Sequence, residues 1–349
     1  MLGISVYLPG SDPSLSLPFQ TIFTSLHIPE DHPDMYRKEL DKLGRLAQKY
    51  QVELMADISP TSLTHLGFTL DEAHRVKGWG VTGLRIDYGV EPEVIASLSR
   101  RMKIAVNAST VTQEELTTLA KNRANFTSME AWHNYYPRPE TALGWEEFTA
   151  KNQLLKEAGF KVAAFIPGDG KRRGPVCQGL PTLEAHRNYS SFAAFMELNQ
   201  DPYVDHIVIG DPSVNEGSKK QFAAYYNGVI LLRAKCFTEN VSIQQLLQKK
   251  QTNRLDAARD VIRSAESRQP DFGHTFPIRA EHTMERTIGA ITIDNENYGR
   301  YQGEVQITKR TLPADDKVNV IGRVIPEDRP LLPYIKGGMM FQVEWVRCQ

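Results

Sequence analysis

Short apolar runs alternate with longer amphipathic segments from the amino terminus to about residue 232. This alternation is typical of a parallel sheet covered by helices. In the segment 34–50, Leu40, Leu43 and Ala47 recur at three- and four-residue spacing, which predicts a helix with one buried face. Eight runs, enough to close a barrel, are predicted as strands: 2–7, 52–57, 82–87, 103–107, 125–130, 161–166, 204–209 and 228–232.

The pattern changes in the last third of the chain. Residues 241–268 predict one long helix, because apolar residues recur along it at helical spacing up to Pro270. Four short strand-like runs follow, separated by Gly, Pro, Asn and Asp: 288–294, 303–307, 318–325 and 339–345. The predicted fold class is therefore α/β, with a (β/α)8 TIM-like barrel over 1–235, a helix and linker completing it over 236–269, and a small all-β domain over 270–349.

Composition and charge narrow the class of protein. Of 349 residues, 41% are apolar and 24% charged, as in an ordinary globular protein. The 41 Lys and Arg nearly balance the 42 Asp and Glu, so no charge excess favours nucleic acid or an anionic membrane as partner. No stretch of about 18 apolar residues suggests a membrane span, and no signal peptide is predicted.

Cysteine usage bears on the compartment. Cys177, Cys236 and Cys348 lack the short spacings of zinc sites and redox pairs. We interpret them as free thiols in a reducing compartment and predict a cytoplasmic protein, with homo-oligomerisation left open.

Polar residues follow several predicted strands at the same end. In an eight-stranded parallel barrel, catalytic groups lie at the carboxyl ends of the strands and in the loops that follow. One such residue as often caps a helix or forms a turn. Five carboxylates and one amide together favour a shared pocket: Asp57, Asp87, Asn107, Glu130, Asp169 and Asp211.

A ring of carboxylates is consistent with two chemistries. Oxygen ligands bind hard metal ions, and paired carboxylates cleave glycosidic bonds. The metal interpretation is the weaker, because sugar isomerases and metal-dependent hydrolases on barrels generally add histidine or lysine at strand ends. Here the nearest such residue is His133.

Two loops carry further candidates. Asn134, Tyr135 and Tyr136 combine hydrogen-bonding groups with aromatic faces on which sugar rings stack, although the aromatics could equally pack under a long loop. The loop 168–175 combines glycines with cations, among them Arg172 and Arg173, and suits either an anion site or a solvated basic turn. Its spacing matches no Walker or dinucleotide motif.

The last domain also holds an unusually polar and aromatic set. Such residues either lie on the surface of a small β domain or close over the barrel mouth and bind the outer end of a ligand. The candidates are Arg279, His282, Asn295, Tyr298 and Arg300.

Together these motifs resemble the 6-phospho-N-acetylmuramidase family, once catalogued as a domain of unknown function among Gram-positive bacterial proteins. The resemblance implies a TIM-like barrel followed by a cyclophilin-like domain. It also implies a cytoplasmic hydrolase that cleaves the β-1,4 bond between N-acetylmuramic acid 6-phosphate and N-acetylglucosamine in cell-wall recycling. It extends over essentially the whole chain, through 3–8, 56–60, 84–89, 107–109, 134–138, 165–169, 173–175, 179–187, 209–212, 279–286 and 293–301.

Glycoside hydrolysis needs an acid and a second carboxylate. We predict Glu130 as general acid/base, because neighbouring Trp132 and Tyr135 would desolvate it and raise its pKa. Asp211 is the predicted nucleophile. Asp57, Asp87 and Asp169 are substitutes or hydroxyl ligands.

The substrate's phosphate and lactyl carboxylate call for cations. We predict Arg172, Arg173, Arg279 and Arg300 as their ligands, and no cofactor or metal. Two alternatives stay open: a metal-dependent sugar-phosphate aldolase or isomerase on the same barrel, and a non-enzymatic partner-binding protein.

Overall fold

Eight parallel strands close into a barrel in the first of two units, 1–215 and 216–349. The structure is a computed structural model that describes residues 1–8, 17–26, 33–268 and 277–346. The barrel strands are β1 (Leu2–Ser5), β2 (Thr21–Ser25), β3 (Glu53–Ile58), β4 (Gly83–Ile86), β5 (Lys103–Asn107), β6 (Met129–Trp132), β7 (Lys161–Ile166) and β8 (His206–Ile209). Each pairs with the next, and β8 pairs with β1, so the predicted TIM-like barrel is confirmed.

Helices cover the outside of the barrel. In α1, the predicted face is buried through Leu40, Leu43 and Ala47. The helix α4 begins as its sequence predicts, with Thr112 and Glu115 forming a reciprocal capping box. The helices of this unit are α1 (Pro33–Tyr50), α2 (Pro60–His65), α3 (Pro92–Ser99), α4 (Gln113–Lys121), α5 (Trp145–Glu157) and α6 (Ser191–Asn199), with short 3-10 helices at Leu70–Trp79, Phe126–Ser128 and Glu184–Asn188.

Large side chains fill the barrel interior. Phe23, Met55, Trp132 and Phe165 pack together with small residues of the neighbouring strands, and all are almost fully buried. Phe165 meets Phe23 edge to face, with ring centroids 5.0 Å apart. The interior is therefore a packed core that closes the floor of any pocket at the strand ends.

The second unit is built on a mixed seven-stranded sheet, in the order β10-β15-β9-β14-β12-β13-β11. Among the described strands of this sheet, β9 and β15 are the one parallel pair. The predicted β-rich character of the last part of the chain is confirmed. Its elements are α7 (Glu216–Tyr226), β9 (Val229–Cys236), α8 (Val241–Leu247), β10 (Gln251–Thr252), β11 (Val261–Arg263), β12 (Ala290–Asp294), β13 (Val305–Thr308), β14 (Val318–Val324) and β15 (Met340–Trp345), with 3-10 helices at Glu266–Arg268, Glu296–Tyr301 and Pro326–Tyr334.

The predicted eighth barrel strand was wrong. The run 228–232 lies in β9, at the centre of the second sheet, where a strand covered on both faces carries the same continuous apolar run as a barrel strand. The barrel closes instead with β2, a strand of five residues, three of them hydroxyl-bearing, which was not predicted. The predicted boundary at 235 consequently does not coincide with the observed division after Asn215.

The predicted long helix 241–268 was also wrong. Only α8 forms, and the rest of the segment holds β10, β11 and a 3-10 turn. Leu255, one of the apolar residues of this segment, is 88% exposed, whereas Leu247 and Ile262 are fully buried, so the apolar residues do not form one continuous buried face. Of the three cysteines, Cys177 and Cys236 are free thiols, and Cys348 lies outside the described residues. Within the described ranges, the structure contains no helix both long and apolar enough to traverse a bilayer.

Candidate active site

A cavity of about 650 Å³ opens at the carboxyl ends of the barrel strands. This is the end at which a parallel barrel exposes the loops that carry chemistry. Its size is in the range of sites for small molecules. The residues lining it are Phe23, Ser25, Leu26, Asp57, Ser59, Thr61, Ser62, His65, Arg85, Asp87, Tyr88, His133, Asn134, Tyr135, Phe165 and Arg173.

Arg85 organises one wall of this cavity from within β4. Its side chain is 3% exposed, and its Nη1 lies 2.7 Å from Asp57 Oδ1 and 3.1 Å from Asp87 Oδ1. Its Nη2 donates to Asn134 Oδ1 at 2.5 Å. Burial lowers the pKa of Arg85, but the charges of both aspartates raise it further, so the guanidinium stays charged.

An amide completes this network. Asn107, the last residue of β5, donates from Nδ2 to Asp87 Oδ1 at 2.8 Å and to Asn134 Oδ1 at 3.2 Å. Four predicted site residues, Asp57, Asp87, Asn107 and Asn134, are thereby brought together around Arg85. The side chain of Asp57 is 8% exposed and that of Asp87 is 27% exposed, so Asp87 is the more accessible carboxylate.

Arg173 forms a second part of the cavity wall, where the guanidinium contacts tyrosine side chains and no carboxylate among the described residues. Its Nη1 donates to the hydroxyl of Tyr135 at 2.8 Å, and its guanidinium lies 3.9 Å from the ring centre of Tyr7. Burial raises the pKa of both phenols, so they are neutral. Among the described residues, the Arg173 guanidinium pairs with no carboxylate, so its charge is available to an anionic ligand.

A neutral histidine supports Asn134 from behind. His133 Nε2 lies 2.7 Å from Asn152 Oδ1, and Nδ1 lies 3.1 Å from Ser109 Oγ. The same Ser109 oxygen accepts a hydrogen bond from the Asn134 backbone N–H at 3.0 Å. Burial lowers the pKa of His133 to about 4, so its ring holds Ser109 as a neutral imidazole at neutral pH.

The structure overturns the predicted role of Glu130. It lies near the amino-terminal end of the barrel, where Oε1 is 3.0 Å from Lys103 Nζ and 3.6 Å from His206 Nε2, both on first residues of strands. Trp132 Nε1 donates to its other oxygen at 2.8 Å. Burial raises the pKa of Glu130, but His206, Trp132 and Lys103 outweigh it and lower the pKa to about 2. Glu130 therefore cannot deliver a proton to a substrate in the cavity.

Asp211 is also displaced from its predicted role as nucleophile. It follows β8 at the correct end, but it is fully buried and does not line the cavity. Its two oxygens accept backbone hydrogen bonds from Gly168, Arg173 and Leu180. Burial raises the pKa of Asp211, opposed by those hydrogen bonds. The contacts indicate a residue that holds a loop.

Three further barrel candidates lie outside the cavity lining. Asp169 accepts from the backbone of Ser191 at 3.3 Å and Asn215 at 2.9 Å, a capping role. Tyr136 is held through its backbone. Arg172 precedes Arg173 but is not among the lining residues.

The candidates of the second unit have mixed surroundings. Asn295 is fully buried, accepts from Asn297 N and donates to Asn319 Oδ1, so it stabilises a turn and was wrongly predicted to bind substrate. Arg300 is exposed and donates to the hydroxyl of Tyr301. Ligand binding by Arg279, His282, Tyr298 and Arg300, all exposed, stays a prediction.

Sequence reasoning missed several lining residues. Arg85 carried a usable signal, because a lone arginine inside the apolar strand sequence Gly83–Ile86 must be paired if it is buried. Phe23 and Ser25 were missed together with β2. Nothing in the sequence singled out His65, which ends α2. Over the described ranges, no group of three or more His, Cys, Asp or Glu residues is arranged to hold a metal ion.

The fold and the cavity define a class of protein. It is a TIM-like barrel followed by a β-rich unit. At the carboxyl end of the barrel, two carboxylates pair with Arg85, and the Arg173 guanidinium lies nearby without a carboxylate partner among the described residues. Two family models match, described as the N-terminal part of 6-phospho-N-acetylmuramidase, over residues 2–224, and its C-terminal part, over 230–344. The chain belongs to the 6-phospho-N-acetylmuramidase family.

Solved structures agree on the fold. A conserved Enterococcus faecalis protein of unknown function is 44% identical, with a TM-score of 0.86 over 99% of this chain and 96% of that one. An uncharacterised B. cereus protein shares the fold at 24% identity and a TM-score of 0.70, over 98% of this chain and 99% of that one. No curated protein matches the chain.

Proposed function

We propose that this protein hydrolyses the β-1,4 bond between N-acetylmuramic acid 6-phosphate and N-acetylglucosamine during cytoplasmic recycling of peptidoglycan. Family membership supports the substrate class. The observation that carries the proposal is the cavity itself. It combines two carboxylates on the Arg85 guanidinium with a second guanidinium, that of Arg173, which pairs with no carboxylate among the described residues.

Asp57 and Asp87 replace Glu130 and Asp211 as the proposed catalytic pair. Asp57 Oδ1 and Asp87 Oδ1 lie 2.7 and 3.1 Å from the same Arg85 nitrogen. The distance between these two oxygens is therefore no greater than the sum of those two distances. Carboxyl groups are about 5–5.5 Å apart in retaining glycosidases and about 6.5–9.5 Å apart in inverting ones. The shared nitrogen favours the closer, retaining arrangement.

The environments divide the two roles. Asp57 is more buried and closer to Arg85, which suits the nucleophile that attacks the anomeric carbon. Asp87 is the more exposed carboxylate of the pair, which suits the general acid that must reach the glycosidic oxygen. Asp87 gives a proton to the leaving oxygen and then, as a base, takes one from the water that hydrolyses the glycosyl–Asp57 ester.

Arg173 and the aromatic walls supply binding. The charge of Arg173 suits the phosphate or the lactyl carboxylate, and charge-assisted hydrogen bonds are stronger than neutral ones. Tyr135, Phe23 and Phe165 offer apolar surface to a sugar ring.

Substitution of the two aspartates tests the proposal. Asp57→Asn and Asp87→Asn should each lower kcat on the phosphorylated disaccharide by about 10³-fold or more, with unchanged circular dichroism. Asp41→Asn, which removes an exposed ion pair with Arg45, is the matched control and should turn over like the wild type. Retained turnover in either cavity variant would refute its assignment.

Two measurements separate the alternatives. Proton NMR of the first-formed product should show the β-anomer of the phosphorylated sugar, whereas the α-anomer would indicate inversion. Assays with and without EDTA address the metal-dependent alternative, which predicts loss of turnover restored by a divalent ion.

A further inference from the structure

We propose that Asp211 is a positioning residue, which holds the loop 168–180 so that Arg173 meets the anionic group of the substrate. The inference rests on the proposed function, because it assigns Arg173 to the substrate's phosphate or carboxylate. It gives a role to a buried carboxylate that the reaction does not use directly.

Asp211 joins three separate points of the loop. Its Oδ2 accepts from Gly168 N at 2.8 Å and from Leu180 N at 3.0 Å, and its Oδ1 accepts from Arg173 N at 2.9 Å. A fully buried carboxylate is costly unless donors surround it. Here the donors are the two ends of the loop and the residue that carries the guanidinium, so the carboxylate restrains the whole loop.

Close backbone packing reinforces this restraint. A Cβ added to Gly168 would lie 2.6 Å from the Cβ of Asp211, and one added to Gly210 would lie 2.4 Å from Leu180 O. Ser213 Oγ accepts from Lys171 N at 2.7 Å. The loop therefore lies directly against the segment after β8, and glycine is required where the two backbones meet.

The segment after β8 also positions the Tyr7 ring, which lies against the Arg173 guanidinium. Tyr7 donates from its hydroxyl to Gly210 O at 2.6 Å, and the Arg173 guanidinium lies 3.9 Å from the centre of that ring. Neighbouring residues 210 and 211 thus fix both the aromatic face and the backbone of the arginine above it. Tyr135 holds the guanidinium from the side. An arginine held in this way loses little conformational freedom when an anion binds.

Asp211→Asn tests the inference because it preserves size but turns an amide N–H toward backbone donors. We expect calorimetry to show about tenfold weaker binding of the sugar whose anionic group Arg173 contacts. Three probes distinguish the groups: N-acetylmuramic acid 6-phosphate, N-acetylmuramic acid without phosphate, and N-acetylglucosamine 6-phosphate without the lactyl group. Asp211→Asn should weaken the same subset as Arg173→Ala, and should add no further loss to Arg173→Ala.

Asp205→Asn is the control, since this carboxylate also accepts a backbone N–H, from Val162, but lies outside the loop 168–180, and it should leave the pattern unchanged. Equal weakening of all three sugars by Asp211→Asn, or losses that multiply with Arg173→Ala, would overturn the inference. Turnover lost in Asp57→Asn would still support the proposed function in that case. If Asp211→Asn does not fold, Ser213→Ala should shift the same subset by a smaller factor, and an unchanged pattern would count against the inference.

Discussion

The two ends of the barrel each bury a cluster of charged side chains, but only one end opens into the described cavity. At the amino-terminal end, Glu130 contacts Lys103 and is nearly fully buried. At the carboxyl end, Arg85 contacts Asp57 and Asp87, and all three line the cavity. Burial and charge are therefore similar, whereas access to a ligand differs.

The balance of charge separates the two clusters further. Glu130 faces Lys103, His206 and the indole N–H of Trp132, which together lower its pKa, and Lys103 also pairs with Glu53. At the other end Arg85 likewise serves two carboxylates, but the Arg173 guanidinium meets only neutral phenols among its described contacts. Charges paired within the protein contribute to stability, whereas a cation without a carboxylate partner beside a cavity favours ligand binding.

Removal of Arg85 should have the largest effect. Arg85→Met leaves two carboxylates without their cation, and breaking a buried pair typically costs about 3–5 kcal/mol of unfolding free energy. We expect urea unfolding to show this loss and kcat to fall by about 10³-fold or more. Arg85→Lys, which restores the charge without the fork, should recover stability more than activity. Wild-type turnover in Arg85→Met would show that the reaction does not need Arg85.

Substitution of Glu130 sharpens the comparison, because it should affect stability alone. Glu130→Gln removes the buried carboxylate that faces Lys103 and His206, while Lys103 keeps its contact with Glu53, and we expect a loss of about 1–3 kcal/mol in urea unfolding. Under conditions where the variant is folded, kcat/KM should stay within about twofold of the wild type. A loss of turnover like that of Asp57→Asn would mean that the amino-terminal cluster takes part in catalysis.

The clusters should also respond to different pH ranges. The pKa of Glu130 is lowered to about 2, so its stabilisation is complete above its ordinary pKa near 4.5 and is lost as pH falls toward 2. The pKa of His133 is lowered to about 4 from 6.5, so the unfolded chain binds a proton first and stability falls as pH drops through that interval. A plot of unfolding free energy against pH should lose its slope between about pH 2 and 4.5 in Glu130→Gln. In His133→Gln it should lose its slope between about pH 4 and 6.5. An unchanged profile in either variant would contradict that assignment.

The smallest expected effect concerns the support behind Asn134. Ser109→Ala removes the oxygen that joins His133 to the Asn134 backbone, which should lower stability by about 1 kcal/mol. We expect kcat to fall by less than about tenfold, since Arg85 and Asn107 still hold the Asn134 side chain. A fall as large as that of Asp87→Asn would place Ser109 in the reaction itself.

Particular residues show how far the sequence reached. Asp57, Asp87, Asn134, Tyr135 and Arg173 were all selected from the sequence, and all five line the cavity. The two aspartates were selected from strand ends, by the rule that parallel strands expose one common end. The other three were selected from the chemistry of the loops that carry them.

Glu130 shows where the same reasoning failed. The strand was predicted over 125–130 and would have ended at this residue, but Phe126–Ser128 is a 3-10 turn and β6 runs over Met129–Trp132. If the strand is displaced by a few residues along the sequence, a side chain predicted at the carboxyl end of the barrel lies instead at its amino-terminal end. Strand ends are set by pairing with neighbours, which a single segment does not encode.

The sequence by itself determined that an α/β barrel precedes a β-rich unit, because hydrophobic periodicity follows from local geometry. It also selected five of the residues that line the cavity, two of them carboxylates. Only the tertiary structure decided which eight strands close the barrel, which carboxylates share Arg85, and that Asp211 holds a loop. These depend on register and on contacts between residues far apart in the chain, and the energy of a buried charge depends on which partner those contacts supply.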